Sequence, residues 1–275
     1  MFSRWRVPLA AITLISGALL IAAAGTANAA TTSQPGITHV RPGGSVAGFQ
    51  PGGPVRPHTG ASPQGKAVRD DAESTNWSGY AVTGGTDAFN SVSASWTEPT
   101  ATCDDSGTEY SSFWVGLDGY NSSSVEQTGT DADCDSGSPD YYGWYEMYPA
   151  DPVYFTNTVQ PGDSMSASVT VSGSTYTITL TDSSQGWTQT EHETQSGLSD
   201  SSAEVITEAP STESGPLPLA DFGTVNYAGS TVNGESMASL SPTAIEMVGA
   251  SGDQLDSTSG IDASGDFSNA WMAES

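Results

Sequence analysis

Lysine and arginine are missing from most of this sequence. The chain has 275 residues, and all six of its Lys and Arg residues lie at or before Arg69. All 32 Asp and Glu residues lie at or after Asp70, so the part from residue 70 onwards carries a formal charge of −32 at neutral pH. A protein of this charge repels phosphate groups, and we therefore expect neither nucleic acid nor an anionic membrane as a partner.

The same absence predicts how stability depends on pH. Without cationic side chains, the carboxylates of this part lack salt-bridge partners within it and repel one another at neutral pH. Such repulsion raises the pKa of a carboxyl group in the folded state above its value in the unfolded chain. Stability from this source is fully present in acid and is lost as the pH rises through the folded pKa. The composition therefore predicts a protein that works in acid.

Motifs for nucleophilic and metal catalysis are absent as well. There is no G-x-S-x-G or H-E-x-x-H motif, and His192, the only histidine after residue 70, lies in a polar run that is typical of a solvated loop. The acidic run Asp131–Asp135 has the spacing of a calcium loop, but Ser136 and Tyr142 stand where that loop needs Gly and Glu. We therefore expect a solvated acidic loop there, and no metal or cofactor.

Long apolar runs are confined to the N-terminus. Basic residues Arg4 and Arg6 precede the apolar run Val7–Ala24, and the cleavage signal Ala27–Ala29 follows it. This order is typical of a secretory signal peptide, whereas a transmembrane anchor would not be followed directly by a cleavage signal. We predict a signal peptide at residues 1–29 and a secreted protein.

Bulky apolar residues are scarce in the next segment, residues 30–70. Its Pro, Gly, Ser and Thr residues cannot bury enough surface to offset the entropy lost on ordering. It also holds the remaining basic residues of the chain, which are Arg41, Arg56, Lys66 and Arg69. We predict a propeptide that docks on the acidic domain, residues 71–275, near neutral pH and is released in acid.

Helical periodicity is lacking, and a period of two takes its place. In Ser164–Val171 apolar residues alternate with Ser and Thr, and Tyr176–Leu180 repeats this pattern after a Ser-Gly turn. The segments Val92–Trp96 and Phe113–Leu117 show the same alternation. Short alternating strands with frequent turns predict an all-β protein, an antiparallel sandwich or jelly roll.

Only two cysteines occur, Cys103 and Cys134. In an exported chain they are expected to form one disulfide, worth about 3–4 kcal/mol in the chain-entropy model. The midpoint between them falls in the turn LDGYNS, so the bond would close the open end of a hairpin that carries Trp114 and Gln127.

The aromatic-rich stretch Ser112–Pro149 and the segment AEVITE contain the polar residues of interest, Gln127, Glu146 and Glu208. On chemistry alone they indicate a carboxylate-based hydrolase or merely polar groups at strand edges. One alternative is a jelly-roll glycoside hydrolase that uses Glu146 and Glu208 as paired carboxylates. Another is a carbohydrate-binding sandwich without catalysis, in which the aromatic side chains bind sugar.

Several motifs together resemble the glutamic peptidases, the eqolisin family. In order they are NWSGY, FxxVSASWxxP, WVGLDG, EQTGT, WYEMYP, PGD and AEVITE, and they span almost all of residues 76–275. The resemblance implies a secreted acid endopeptidase on a concanavalin-like sandwich of two large antiparallel sheets. It implies polypeptides as substrates. We further expect a monomer that is inhibited by its own propeptide, as the separation of charge along the chain predicts.

The resemblance also implies the site residues. The catalytic glutamine of the family falls on Gln127 and the catalytic glutamate on Glu208. Trp77, Trp114 and Glu146 match positions that line the cleft of the family, and Asp118 of the WVGLDG match is expected to support the site. Where the family usually has an aromatic residue after Ala-Glu, this chain has Val at position 205, which leaves the spacing of the glutamates unchanged.

Overall fold

The computed structural model describes residues 36–38, 40–42, 49–57, 71–104 and 107–275. The predicted signal peptide lies outside these ranges, and the predicted propeptide lies within them only in part. No helix in the described ranges is long and apolar enough to cross a membrane.

The described residues form β-strands and a single 3-10 turn, Met237–Leu240. The strands are β1 (Ile37–Thr38), β2 (Ala72–Ser74), β3 (Trp77–Thr83), β4 (Ser91–Thr97), β5 (Thr108–Glu109), β6 (Ser112–Leu117), β7 (Val125–Asp135), β8 (Ser138–Tyr148), β9 (Val153–Phe155), β10 (Ser164–Ser172), β11 (Thr175–Asp182), β12 (Trp187–Thr194), β13 (Ser202–Glu208), β14 (Ser211–Thr212), β15 (Gly215–Pro216), β16 (Thr224–Val232), β17 (Glu235–Ser236), β18 (Thr243–Val248), β19 (Gln254–Thr258) and β20 (Phe267–Trp271).

The predicted alternation of side chains is confirmed in these strands. Strands β10 and β11 form the expected hairpin, in which Val169 lies opposite Ile178. Both side chains are fully buried, whereas their Ser and Thr neighbours are more exposed. The apolar residues of β10 and β11 therefore face the core, and the all-β fold class is confirmed.

The strands form two large antiparallel layers. One layer runs β9–β8–β7–β6–β13–β3–β18, and the other runs β12–β11–β10–β4–β16–β20. Strand β19 pairs with both β18 and β20 and so joins the layers at one edge. Strand β2 adds to β18 in parallel. The sandwich is therefore continuous through hydrogen bonds along one side.

The layer that contains β6 and β13 is buried on both faces. Its inner face, with Phe113, Val115 and Leu117, belongs to the main core between the layers. Its outer face carries a second apolar cluster that includes Trp77, Trp114, Trp144, Tyr142 and Tyr154. Polar residues of the outer face are therefore held among aromatic side chains, with little contact with water.

The predicted disulfide between Cys103 and Cys134 is confirmed. Cys134 lies in β7 opposite Glu109 of β5, just beyond the end of the β6–β7 pairing at Ser112 and Asp131. The bond therefore ties down the end of the hairpin that carries Trp114 and Gln127, as expected.

The expected solvated acidic loop is wrong. Strand β7 continues to Asp135, and a two-residue turn at Ser136 and Gly137 leads directly into β8. Asp131 and Asp133 are 0% and 1% exposed. They stay buried because alternate residues of β7 face the aromatic residues of β8, whose Trp144 indole and Tyr142 hydroxyl donate hydrogen bonds to them.

The loop expected around His192 is wrong too. His192 lies within β12, opposite Thr177 of β11. Among the described residues, β12 pairs with β11 alone, so it lies at the edge of its layer. Its side chains alternate between exposed and partly buried. An edge strand of this kind can be polar on both faces, which removes the signal that sequence periodicity relies on.

Candidate active site

Five adjacent strands project the predicted site residues onto one face of the sheet. In the order β3, β13, β6, β7 and β8, these residues are Trp77, Glu208, Trp114, Gln127 and Glu146. Alternation explains the common face, because the intervening residues of each strand point into the main core. All five side chains are fully buried. The structure thus brings together five of the six residues that the sequence singled out for catalysis or support.

The carboxylate of Glu208 is held by two donors. Its Oε1 accepts a hydrogen bond of 3.1 Å from Nδ2 of Asn76, and its Oε2 accepts one of 3.0 Å from the indole Nε1 of Trp114. Burial raises the pKa of Glu208 well above its usual value, and the charges of Glu146 and Asp131 raise it further, while the two donors lower it. These contacts fix the direction of the carboxylate.

Asn76 is a site residue that the sequence reasoning did not single out. It is fully buried beside Trp77, at the start of β3. Asn76 is the first residue of NWSGY, one of the motifs that carry the family resemblance, so the sequence did contain a pattern that could have identified it. Its role follows only from the position of Glu208, which lies opposite Trp77 in the β13–β3 pairing.

The amide of Gln127 is oriented by Glu146. The two residues lie opposite each other in β7 and β8, and Nε2 of Gln127 donates a hydrogen bond of 2.8 Å to Oε2 of Glu146. The same Nε2 also donates to the backbone carbonyl of Gly52. Burial raises the pKa of Glu146 well above its usual value. Glu146 therefore fixes which way the amide of Gln127 points.

Two indole rings pack against each other on this face, and Trp114 lies on β6 between the strands of Glu208 and Gln127. The rings of Trp77 and Trp114 meet edge to face, with centroids 4.9 Å apart at 76°. Gly129 lies opposite Trp114, and a Cβ at this position would lie 2.2 Å from the backbone oxygen of Phe113 and 2.6 Å from the Cβ of Trp114. Glycine is therefore required here in the EQTGT motif, so that β6 and β7 can pair this closely.

Asp118 does not join the group around Gln127 and Glu208. Its carboxylate accepts hydrogen bonds of 3.0, 2.8 and 2.9 Å from the backbone N–H groups of Ser199, Asp200 and Ser201. These residues lead directly into β13. Asp118 therefore supports the site at a distance, by fixing the loop that precedes the strand carrying Glu208.

Among the residues that the structure describes, Asp118, Glu126 and Asp200 have carboxylate oxygens within 4.8 Å of one another and could hold a metal ion. Asp118 is already occupied by the backbone donors, and Asp200 accepts a hydrogen bond of 2.7 Å from the hydroxyl of Tyr176. Burial, followed by the charge of Asp118, raises the pKa of Glu126 to about 9. A carboxyl that stays protonated is a poor ligand for a cation, so we assign no metal to this cluster.

The pocket that holds Arg41 lies further along the same face. The Nη1 of Arg41 is 2.9 Å from Oδ2 of Asp133 and 3.2 Å from the hydroxyl of Tyr142. The rings of Phe49 and Tyr110 lie 5.1 and 5.4 Å from its guanidinium carbon. Arg41 and Phe49 belong to the predicted propeptide, so part of that segment contacts the acidic domain.

Comparison with known proteins gives one family and several related structures. The model of the peptidase A4 family matches residues 75–268. Two structures of scytalido-glutamic peptidase with transition state analogs are each 25% identical and cover 72% of this chain and 98% of theirs, with TM-scores of 0.62 and 0.61. Aspergilloglutamic peptidase from Aspergillus niger is 26% identical over 60% of this chain and 99% of its own, with a TM-score of 0.52. No curated protein sequence matches the chain.

Proposed function

The chain belongs to the peptidase A4 family, and we propose that it is a secreted acid endopeptidase in which Glu208 and Gln127 form the catalytic dyad. Family membership makes it a glutamic peptidase with polypeptides as substrates. The observation that supports the dyad most is the way Glu208 is held by Asn76 and Trp114 on the same buried face as the Gln127–Glu146 pair.

We assign Glu208 the role of general base and then of general acid. The ionised carboxylate takes a proton from a water molecule, and the water oxygen forms a bond to the carbonyl carbon of the substrate. The protonated Glu208 then gives that proton to the nitrogen of the scissile bond, and the carbon–nitrogen bond breaks. The products are a carboxylic acid and an amine, and no covalent intermediate with the enzyme is needed.

Gln127 has the complementary role. Its amide does not titrate in this pH range, and it offers both an oxygen that can accept from the water and N–H groups that can donate. As the carbonyl oxygen of the substrate becomes negatively charged, an N–H of Gln127 stabilises it. Glu146 keeps the amide in the orientation that this requires.

Burial links the activity of Glu208 to the opening of the cleft. Burial is the largest cause of its raised pKa, and residues 49–57 of the predicted propeptide are among those that cover this face. While the segment stays in place, the raised pKa favours the protonated form of the carboxyl, which cannot act as a base. Once the segment leaves, water reaches the carboxyl and lowers its pKa towards the range in which it ionises in acid.

The alternatives based on carbohydrate fall with the family assignment. A glycoside hydrolase would need Glu146 and Glu208 as a pair of carboxyl groups that flank a sugar. Glu146 instead binds the amide of Gln127, and the solved structures of similar fold and 25–26% identity are peptidases.

The function is tested with the full chain, incubated at about pH 3–4 with a denatured protein and, separately, with a polysaccharide. We expect cleavage of the protein, no effect of the aspartic-peptidase inhibitor pepstatin, and no release of sugar. Cleavage that pepstatin abolishes, or release of sugar alone, would contradict the proposal.

For the precursor we propose a signal peptide at residues 1–29 and an inhibitory propeptide at residues 30–70, ahead of a monomeric domain at residues 71–275. The ion pair between Arg41 and Asp133 supports electrostatic docking of the propeptide. Burial, followed by the charge of Asp131, raises the pKa of Asp133 well above its ordinary value, against the donation from Tyr142 and the charge of Arg41. The ion pair needs an ionised Asp133, so it is lost as the pH falls through this raised pKa.

Arg41→Gln is expected to let the full chain process itself at a pH about one unit higher than the wild type. A shift of one unit corresponds to a loss of about 1.4 kcal/mol in the free energy that holds the propeptide on the domain. The midpoint of processing is read from gel bands across a series of buffers. Arg56→Gln serves as the control, because Arg56 is exposed and, within the described part of the chain, its guanidinium makes a single long contact, 3.5 Å from the carbonyl of Thr212. Equal shifts in both variants, or no shift for Arg41→Gln, would contradict a specific role of the Arg41 pocket.

A further inference from the structure

We propose that residues 49–57 occupy the substrate cleft as the inhibitory part of the propeptide, and that Gly52 is the residue that brings this segment into contact with Gln127. The proposal rests on the proposed function, because it takes Gln127 and Glu208 as the groups to be blocked.

Three consecutive carbonyl groups of the segment are bound by side chains of the site. The carbonyl of Gly52 accepts from Nε2 of Gln127. The carbonyl of Gly53 accepts a hydrogen bond of 3.0 Å from the indole Nε1 of Trp77, and that of Pro54 accepts one of 3.2 Å from Nδ2 of Asn76. The backbone of the segment therefore runs along the groups that a peptide substrate would have to meet.

Asn76 connects the segment to the other member of the dyad. Its Nδ2 donates to Pro54 and also to Oε1 of Glu208. Its Oδ1 accepts a hydrogen bond of 2.8 Å from the backbone N–H of Arg56. The segment thus contacts Gln127 directly at one point and reaches Glu208 through a single side chain at another.

Backbone hydrogen bonds fix the segment on both sides of this point. Gln50 exchanges two of them with Ser211, at 3.0 and 3.1 Å. The N–H of Val55 donates to the carbonyl of Gly119 at 3.2 Å. Pro51, Gly52 and Gly53 are buried, so the middle of the segment is covered as well as bound.

The two adjacent glycines differ in the space around them. A Cβ built on Gly52 would overlap the side-chain amide of Gln127, whereas the nearest atom to a Cβ on Gly53 is a ring carbon of Tyr148 at 3.9 Å. Only a residue without a side chain can therefore lie at position 52 with this contact intact. Pro51 and Pro54 flank the pair, and their fixed φ angles limit how the backbone could move away.

Close contact between Gly52 and Gln127 explains inhibition. Nε2 of Gln127 donates to the carbonyl of Gly52 and to Glu146, so the amide is fully engaged on that side. In the proposed mechanism an N–H of this amide stabilises the carbonyl oxygen of the substrate. The carbonyl of Gly52 occupies that donor, so the segment prevents a substrate carbonyl from binding to Gln127.

The placement is tested by amide hydrogen exchange in the full chain, in a Glu208→Gln background that prevents self-cleavage. Protection of the N–H groups of Val55 and Arg56 reports whether the segment stays in the cleft. We expect Gly52→Ala to speed their exchange by about tenfold or more, and Gly53→Ala to leave it within about threefold. Unchanged protection in Gly52→Ala, or equal loss in both variants, would overturn the proposal.

A second measurement separates this proposal from the proposed function. With Glu208 intact, the Gly52→Ala chain is expected to cleave a reporter peptide at a less acidic pH than the wild type or Gly53→Ala. If exchange changes as expected but no variant cleaves peptides in acid, the proposed function fails and the placement of the segment stands. If the wild-type chain is an acid peptidase but exchange is unchanged in Gly52→Ala, the placement fails and the proposed function stands.

Discussion

Replacing Glu208 by Gln is expected to lower kcat for acid peptide hydrolysis by about 10²–10⁴-fold, which is the range of general acid–base catalysis. The amide cannot accept the proton of the water or return it to the leaving nitrogen. The change keeps the volume of the side chain, so the buried group around Trp114 and Asn76 keeps its packing. The rate is measured on a peptide substrate after near-UV circular dichroism has shown that the variant is folded.

Glu204→Gln is the matched control for this experiment. Glu204 lies on the same strand, points to the same face and is fully buried. The charges near it are those of Asp118 and Glu126, whereas those near Glu208 are Glu146 and Asp131. We expect the control to lose less than about tenfold. A Glu208→Gln enzyme that keeps near-wild-type activity would contradict the assignment.

Stability is expected to be highest in acid and to fall between about pH 5 and pH 8, because buried carboxyls stay protonated in the folded state. Burial raises the pKa of Glu98 from 4.5 to about 8, that of Glu126 from 4.5 to about 9 and that of Asp256 from 3.8 to about 7. Between the unfolded and folded values, the folded state holds a proton that the unfolded chain has lost. The free energy of unfolding therefore decreases as the pH rises.

The size of this effect is large. A shift of three to four pKa units corresponds to about 4–5 kcal/mol for one fully buried group, which is an upper estimate. For a domain of this length, 1 kcal/mol changes Tm by about 2–4 °C, so we expect Tm to drop by about 10–20 °C between acid and neutral pH. Thermal unfolding followed across a pH series measures it. A Tm that rises from pH 4 to pH 8 would contradict the prediction.

Glu98→Gln isolates one contribution to this profile. Oε2 of Glu98 accepts hydrogen bonds of 3.2 Å from the indole of Trp96 and 2.5 Å from the hydroxyl of Thr130. An amide can keep these contacts through its oxygen, but it does not titrate. We expect a shallower decline of Tm above pH 5, whereas replacing the exposed Glu235 by Gln should leave the profile unchanged.

The sequence predicted the strands well because alternation reports directly on which residues share a face. It showed that Gln127 and Glu208 lie on strands, but periodicity says nothing about which strands are neighbours. The structure places β6 between the two strands, so Trp114 of β6 reaches Glu208. Asn76 was missed for the same reason, since its partner lies 132 residues away in the chain.

The errors also have physical causes. Asp131 and Asp133 were assigned to a solvated loop, because charged residues are rarely buried without partners. Their partners, Tyr142, Trp144 and Arg41, come from another strand and from the predicted propeptide. The raised carboxyl pKa values were predicted in the right direction but for a different reason. Burial, rather than repulsion between charges, is the largest cause at these groups.

A double-mutant cycle on kcat, with Glu208→Gln, Gln127→Ala and the double variant, tests the dyad most directly. If both residues act on the same water molecule, Gln127→Ala alone loses about 10²–10³-fold, and the double variant loses little more than Glu208→Gln alone. Losses that multiply in the double variant would contradict a shared role, as would near-wild-type cleavage by either single variant.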